Sequence, residues 1–358
     1  MASAITFPDF VPFPVSTLQP VNPSGHPGWD ALVTAQPNHS FFHGAAWAET
    51  LRKAYGYQPV YLTANEPGGL SILPLMEVDS WLTGRRGVAL PFTDECEPLH
   101  GNPASGRALF QAALEWGRKR GWKSLEFRGG RELFAQAPAS LSFYGHRVNL
   151  EADEDRLFAR LESSARRAVR KSMQSGVVVS ISRDLEAMKV FYALHCKTRR
   201  KHGLPPQPFA FFRIVQEQVL AGNQGMVAIA RHGTRAVAAS VYFQLGARAV
   251  YKYGASDEAC QHLRGSNLVM WEAIKWLARQ GAGTLHLGRT SLGNEGLRRF
   301  KRGWGAEEHR IEYVKYDLHQ NRFVTETDES TGWHNRLFRA LPAGAARVIG
   351  AALYRHWA

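Results

Sequence analysis

Apolar positions along this chain switch between a spacing of three to four residues and a spacing of two, which is how amphipathic helices interleave with half-buried strands. Residues 1–26 are rich in Pro, Ser and Phe, lack either period, and read as an irregular leader. A short helix is predicted over 29–35 and a longer one over 45–55. Residues 59–62 and 70–78 read as paired strands around the turn NEPGG, and 87–91 as another strand running into the loop PFTDECEPLHGNP. A helix over 106–120 ends at Gly121, and a strand over 124–127 follows. After Leu150 the pattern restarts. EADEDRLFARLESSARRAVRKSMQSG gives one or two helices ending at Gly176, a natural residue just past a helix end. VVVSIS is a strand. Helices are predicted over 185–202 and 209–220, separated by the break GLPPQP. Three strands come next, over 226–231, 236–244 and 248–254. A helix over 266–280, capped by Ser266, precedes strands over 284–287 and 310–316. This order makes the second half a set of antiparallel strands that open to accept one parallel strand. The fold class is α/β (α+β), with mixed, mostly antiparallel sheets.

Length and charge sharpen that picture. At roughly 150 residues per domain, 358 residues suggest about two domains. A chain that is 44% hydrophobic and 21% charged can build a large core, which excludes a disordered or collagen-like chain. Residues 1–150 carry 12 basic and 12 acidic side chains, whereas 151–358 carry 32 and 19, so the whole net charge of +13 lies in the second part. That asymmetry suits a polyanionic partner such as a phosphorylated cofactor, RNA or an anionic membrane, and equally a merely basic surface. The three cysteines, Cys96, Cys196 and Cys260, are far apart and show no metal-ligand spacing, so neither a disulfide framework nor a zinc site is expected. The N-terminus does not read as a signal peptide, and no apolar run is long enough for a membrane span. The expected location is cytoplasmic.

Chemistry concentrates in three consecutive blocks. They are YKYGASD at Tyr251–Asp257, HLRGSNLVMWEAIKWLARQG at His262–Gly281, and LHLGRTSLGNEGLRRFKRGWGA at Leu285–Ala306. In the first two, a strand runs into a glycine-containing turn that opens a helix. N–H groups at Gly265, Ser266 and Asn267 would point along the helix axis, and His262 and Arg264 stand beside them. Such a helix start is a phosphate cradle, although many capped helices bind nothing. Arg166, Arg167, Arg170 and Lys171 fall on one helical stripe. Thr198, Arg199, Arg200, Lys201 and His202 precede the stiff GLPPQP loop. For both groups a structural or solvated role competes equally with a ligand. The loop over 93–99 holds Asp94, Glu95 and Glu97, any of which is placed to take a proton. Cys96 among them lacks an identifiable His partner, and His43 and Trp47 read as packing and N-cap residues. Residues 332–358 contain Arg336, Arg339, Arg347 and Arg355, no acid, and apolar residues at helical spacing. Pro342 divides them into two short helices that dock on the protein or lie on an anionic inner leaflet; docking is favoured.

The tyrosine strand with G-A-S, the N-L-x-x-W-E-x-I helix and the G-R-T…G-L-x-x-F-K-x-x-W-G segment resemble the FemAB-like branch of the GNAT acyltransferase superfamily. SSARRAVRKSMQSG, TRRKHGLPPQPFAFF, FFHGAAWAETLRKAYGYQPVYL, ILPL and LPF agree with it, and the resemblance covers about residues 38–318. It is strongest toward members found near exopolysaccharide and PEP-CTERM export loci. The resemblance implies tandem GNAT-like domains over 27–150 and 151–318, between the leader 1–26 and the basic segment 319–358. It implies acyl transfer to an amine, with acyl-CoA as donor held at His262, Arg264, Gly265, Ser266 and Asn267. In the family pattern Q/R-x-x-G-x-G/A only the central glycine is kept here. In peptidoglycan-building relatives the donor is aminoacyl-tRNA, which the basic second half also suits. The lysine matching Lys301 is implicated in steadying the tetrahedral oxyanion, with Phe300 lining the acyl site. Tyr253, Arg199 and Arg289 are the further candidate substrate contacts. Asp94 and Glu95 are candidate bases on the acceptor side, and Glu95, Cys96 and Glu97 replace the family's usual small residues. No metal is implied. The acceptor expected is an amine on a sugar or amino acid, such as a cell-envelope precursor. A non-catalytic module for an anionic glycan, lipid or RNA is the reading from a different class.

Overall fold

The structure is a computed structural model that describes residues 18–66, 69–134, 137–326 and 343–357. These fall into two compact units. Unit 1 takes residues up to Ser142 together with those from Ile311, and unit 2 takes Phe143–Arg310 together with the C-terminal helix. Both dividing points lie inside strands, Leu141–Asn149 and Glu307–Asp317.

Unit 1 begins with β1 (Gln19–Val21), which pairs antiparallel with residues 61–63, so part of the expected irregular leader is a strand. Helices α1 (Trp29–Thr34) and α2 (Ala45–Tyr55) follow. Gly56 at φ 77° ends α2 in the left-handed region that favours glycine. Four short strands come next: β2 (Gln58–Pro59), β3 (Tyr61–Glu66), β4 (Gly69–Leu73) and β5 (Met76–Val78). The single strand expected over 70–78 is two strands because Pro74 has no N–H to offer a ladder. Strand β6 (Arg86–Val88) stops early because Leu90 turns to φ 56°. Helix α3 (Pro103–Arg120) starts before the expected 106. Asn102 accepts from Ser105 N–H at 3.0 Å and Pro103 occupies the first turn, a start signal the apolar period alone did not reveal. Strand β7 (Ser124–Arg128) completes the run, and α3 covers a core of Leu109, Phe110, Leu125, Phe127 and Val314.

Unit 2 opens with β8 (Leu141–Asn149), a strand absent from the expectation, whose alternation is masked by Gly145 and by the buried polar His146. Helices α4 (Glu154–Arg160) and α5 (Ser163–Gln174) resolve the one-or-two-helix alternative as two. Next come β9 (Val177–Ser182), α6 (Leu185–Lys201) and α7 (Phe209–Val215), the last continuing as a π-helical turn to Leu220. Strands β10 (Gly225–His232), β11 (Arg235–Leu245) and β12 (Arg248–Ser256) form the expected antiparallel meander. Helix α8 (Gly265–Arg279) returns the chain to β13 (Thr284–His286), which lies parallel to β12. Within unit 2 the strand order is β8-β13-β12-β11-β10-β9.

The parallel pairing of β12 and β13 is short. It runs from Arg248 opposite Thr284 to Val250 opposite His286 and stops, although β12 continues to Ser256 along β11. Just there a β-bulge inserts Lys252: Val241 faces Tyr253 but Tyr242 faces Tyr251. A bulge bends its strand and re-aims side chains. The two parallel strands therefore part at their carboxyl ends. One face of this sheet is sealed by α8 through Leu268, Val269, Ala273, Ile274 and Leu277.

After β14 (Thr290–Ser291) comes α9 (Glu295–Arg302), capped by Asn294. Strand β15 (Glu307–Asp317) leads into unit 1, where its end pairs with β7 and with β16 (Arg322–Val324). The predicted first helix of the C-terminal segment lies outside the described residues. Its second is α10 (Ala343–Leu353), which docks: Tyr354 is buried, donates its hydroxyl to Pro205 O at 3.2 Å, and accepts from Arg199 Nη2 at 2.8 Å. Among the described residues no helix is long and apolar enough to cross a membrane.

Candidate functional site

The carboxyl end of the parted pair is where an open α/β sheet offers a crevice. On the β12 side, Ser256 and Asp257 lead through a 3₁₀ turn (Glu258–Leu263) to the start of α8. Arg264 takes φ 55° and precedes the helix without a side-chain cap, so Ser266 is not the cap that the sequence suggested. The helix starts one residue earlier, at Gly265. Asn267 N–H bonds Arg264 O at 3.0 Å, which leaves the Gly265 and Ser266 N–H groups, rather than three, at the open helix end. Gly265 is buried, and a Cβ there would stand 2.8 Å from Val237 Cγ2. Only glycine lets the helix start approach the sheet this closely.

A cavity of about 250 Å³ sits at this point, lined by Ser256, Asp257, Gln261, Arg264, Ser266 and Asn267 among others. His262 and Arg264 are exposed on the same turn. Asp257 is the acid in the group. Lys197 Nζ at 2.8 Å and Arg235 Nη2 at 2.9 Å both donate to its Oδ2, and these two cations, Lys197 foremost, lower its pKa to about 2. Two cations on one carboxylate leave the surroundings net positive, so the acid does not oppose an anion at the helix start.

On the β13 side the chain turns at Gly288, φ 74°, and Lys301 reaches into this turn from α9. Lys301 is 3% exposed, so it is not the solvated end of a basic helix, as a run of RRFKR suggests. Its ammonium donates to Gly288 O at 2.7 Å and Arg289 O at 2.9 Å. Phe300, half-buried, packs edge-on to Trp304 with centroids 6.0 Å apart. Arg289 is exposed with its guanidinium 4.5 Å from the Phe143 ring centroid.

The strand missed in the sequence carries the residue most closely coupled to Lys301. His146 on β8 is fully buried, and its Nε2–H donates to Glu308 Oε2 at 3.1 Å. Arg298 grips that carboxylate from the other side with two bonds of 2.8 Å and holds its pKa low. Burial, with the positive charge of Lys301 adding to it, lowers the His146 pKa to about 4. The imidazole is therefore neutral, its proton fixed on Nε2, and Nδ1 is buried without a hydrogen-bond partner. Thr290 Oγ1 is likewise buried and unpartnered. The only signal in sequence was a His within an interrupted alternation, and it was not enough to identify the strand.

The remaining candidates lie elsewhere. Tyr253 joins Phe191, His195, Phe211 and Phe212 in an aromatic cluster. Arg199 Nε donates to Pro205 O at 3.2 Å and its Nη2 to Tyr354, so its guanidinium braces the GLPPQP loop and the C-terminal helix. Asp94 and Glu95 belong to unit 1, on a loop held by a residue that sequence reasoning missed. Arg128, buried, donates through Nη1 to Leu90 O and Thr93 O, while Tyr313 donates its hydroxyl to Asp94 O at 2.8 Å. Backbone bonds from Cys96 to Arg128 and from Leu99 to Ile72 stitch the rest.

The structure supplies the His partner that the sequence could not place for Cys96: His43 Nε2 lies 3.5 Å from its Sγ. Nucleophilic chemistry does not follow. His43 Nδ1 accepts from Ser40 N–H at 3.0 Å, so Nε2 carries the proton and donates it to Glu97 O at 2.8 Å. Burial drives the His43 pKa down to about 4 and the Cys96 thiol up. Neither a base nor a thiolate results. His43 is a buried packing and capping residue, and Trp47 is fully buried.

Residues 159–310, within unit 2, match the family model of the acetyltransferase (GNAT) domain. No curated protein matches the chain. Among solved structures, FemX has the same fold at a TM-score of 0.64 and 14% identity, over 79% of this chain and 94% of that one. A tandem GNAT protein from the clavulanic acid biosynthesis pathway matches at 0.53 and 13%, over 84% and 98%. L-PGS from Bacillus licheniformis matches at 0.51 and 12%, over 91% and 97%. The fold is thus that of FemAB-like and tandem GNAT proteins.

Proposed function

We propose that the protein transfers an acyl group from acyl-CoA to an amine on a sugar or amino-acid acceptor, as a step in making a cell-envelope or extracellular polymer. The observation that carries this reading is the cavity at the start of α8, beside the parted carboxyl ends of β12 and β13. The donor pyrophosphate would meet the Gly265 and Ser266 N–H groups, with Arg264 and His262 as flanking donors and the helix dipole adding partial positive charge. The acyl chain would then lie between the parted strands, toward Phe300. A neutral amine attacks the acyl carbonyl, the tetrahedral oxyanion collapses, and the thiolate of CoA leaves. Lys301 places a full positive charge under the β13 turn in low-dielectric surroundings, where it favours the developing oxyanion over the flat ground state. The proton that the amine loses passes to the departing thiolate.

A second reading has aminoacyl-tRNA as donor. The likeness to FemX and the concentration of the +13 charge after residue 150 favour it. Thermal unfolding with CoA, acetyl-CoA or bulk tRNA at two salt concentrations separates the two. Acyl-CoA use is expected to give a saturable rise in melting temperature that survives added salt and disappears in Ser266→Glu. No CoA response, with tRNA binding that weakens steeply with salt, would overturn the CoA reading in favour of the second.

A further inference from the structure

In unit 1 the turn joining β5 to β6 carries two neighbouring apolar side chains into solvent. Trp81 is 84% exposed and Leu82 51%, and among the described residues Trp81 is the most exposed of the large apolar side chains. A lone exposed leucine is ordinary, but a tryptophan and a leucine side by side at the tip of a turn mark an interaction site. The backbone of this tip is fixed. Ser80, buried, accepts through Oγ from the N–H groups of Leu82 at 3.2 Å and Thr83 at 3.0 Å, and the Gly84 N–H donates to Ser80 O at 2.7 Å. Gly84 takes φ 83°, and Lys123 packs across it so closely that a Cβ there would stand 2.6 Å from Nζ. Cations gather round the tip, although residues 1–150 are neutral as a whole. Arg85 Nη1 donates to Arg120 O at 2.9 Å and the Lys123 N–H to Arg85 O at 2.8 Å, so the turn abuts the end of α3, which carries Arg118, Lys119 and Arg120. The carboxylates of this region are engaged or more remote. Arg120 and the Trp122 indole hold Glu77, and Arg85 holds Asp79. Asp317 caps the turn after β15 and stands opposite Arg322, and Glu115 lies a turn farther back on α3. Arg118 bonds only the neutral Asn321 at 3.0 Å, and among the described residues Lys119 and Lys123, both exposed, have no carboxylate partner. The balance around the tip is positive.

We propose that this turn seats the protein on an anionic lipid surface, with Trp81 and Leu82 entering the boundary between headgroups and acyl chains and Arg118, Lys119 and Lys123 meeting lipid phosphates. An indole suits that depth because its body is apolar and its N–H polar. The surrounding charge complements an anionic leaflet rather than a neutral one. An exposed tip with a leucine beside the ring fits a yielding lipid layer, whereas nucleic-acid bases stack on aromatics set along a basic groove. Because the turn is already fixed, docking orders little and loses little affinity to entropy. The surface belongs to unit 1 alone and does not depend on which acyl donor the protein uses.

Flotation of the full chain with vesicles of phosphatidylglycerol and phosphatidylcholine in equal parts, against vesicles of phosphatidylcholine alone, tests this. Binding to the anionic vesicles is expected, weakening as salt is added. Replacing both tip residues, Trp81→Ser with Leu82→Ser, should weaken it about tenfold or more, and both positions are exposed, so the fold should survive. Lys119→Glu should weaken it roughly fivefold or more. Trp81→Phe should still bind, but should lose part of the tryptophan quenching that brominated phosphatidylcholine in the vesicles gives with the wild-type chain. Failure to float with anionic vesicles would overturn the proposal. So would binding that the double serine variant leaves unchanged, which would put the contact on another basic surface, or quenching that is the same in Trp81→Phe. Loss of tRNA binding in the double serine variant, without vesicle binding by the wild type, would assign the turn to RNA instead.

Discussion

At Lys301 a single side chain combines two tasks. An ammonium has three N–H donors, and two of them hold the Gly288–Arg289 turn while the charge remains beneath it. Lys301→Met keeps much of the volume and removes both charge and donors. If the charge serves the transition state, kcat should fall by about 10²- to 10³-fold, the loss typical of one oxyanion stabiliser, with donor affinity within a few-fold of wild type. If Lys301 only anchors the turn, donor affinity and melting temperature should fall together with kcat. His146 tests the same neighbourhood differently. His146→Asn retains a donor toward Glu308 but shortens the side chain, and His146→Phe leaves that carboxylate facing a ring. Asn should preserve more stability than Phe in denaturant titrations; equal losses would mean that the Glu308 bond contributes little.

At the scale of elements, the α8 start makes two substitutions act oppositely. Gly265→Ala sets a methyl 2.8 Å from Val237 Cγ2 and pushes the helix off the sheet. Overpacking of this kind costs roughly 1–3 kcal/mol, and the CoA response should weaken with it. Ser266→Glu is exposed and adds a negative charge where the helix dipole is positive, so it should stabilise the fold by about 0.3–1 kcal/mol. It should nevertheless repel a donor phosphate. A variant more stable than wild type yet blind to CoA would locate the phosphate; unchanged CoA affinity would sink that placement. The sequence disclosed this part of the molecule well. The meander β10–β12 and the helix after it stand out as apolar: β10 and β11 are runs buried on both faces, and α8 turns one apolar stripe to the sheet. It failed where burial is polar. Strand β8 hides His146, and α9 hides Lys301, beneath residues that pattern as surface. Pro74, which divides β4 from β5, was visible, but its effect depends on neighbouring strands. The loop over 93–99 shows Asp94, Glu95 and Glu97 in sequence; the Arg128 that holds it at Thr93 comes from 35 residues further on, from β7.

At the scale of the whole molecule, protons link these local features to stability. Three buried imidazoles are held neutral: His43 and His146 with pKa about 4, and His195, in its aromatic cluster, with pKa about 3. Burial is the first cause in each. Because their folded pKa values lie below the ordinary 6.5, the unfolded chain binds more protons between pH 6.5 and 4. Their contribution is complete above pH 6.5 and is lost as pH falls toward the folded values. The well-paired carboxylates have the same sign but act later. Glu49 and Asp257 titrate near 2 when folded and near 4 when unfolded, so their contribution survives to about pH 4.5. The interval from pH 6.5 to 4.5 therefore belongs to the histidines, each costing on the order of 2 kcal/mol by pH 5. Unit 1 contains one of them and unit 2 two, so hydrogen exchange should show amide protection falling further in unit 2 than in unit 1 between pH 7.5 and pH 5, after correction for intrinsic exchange. His195→Phe keeps the aromatic packing and removes one titrating group, and should reduce the loss in unit 2 by about a half. Protection independent of pH over this range would mean that the buried rings are protonated in the folded protein.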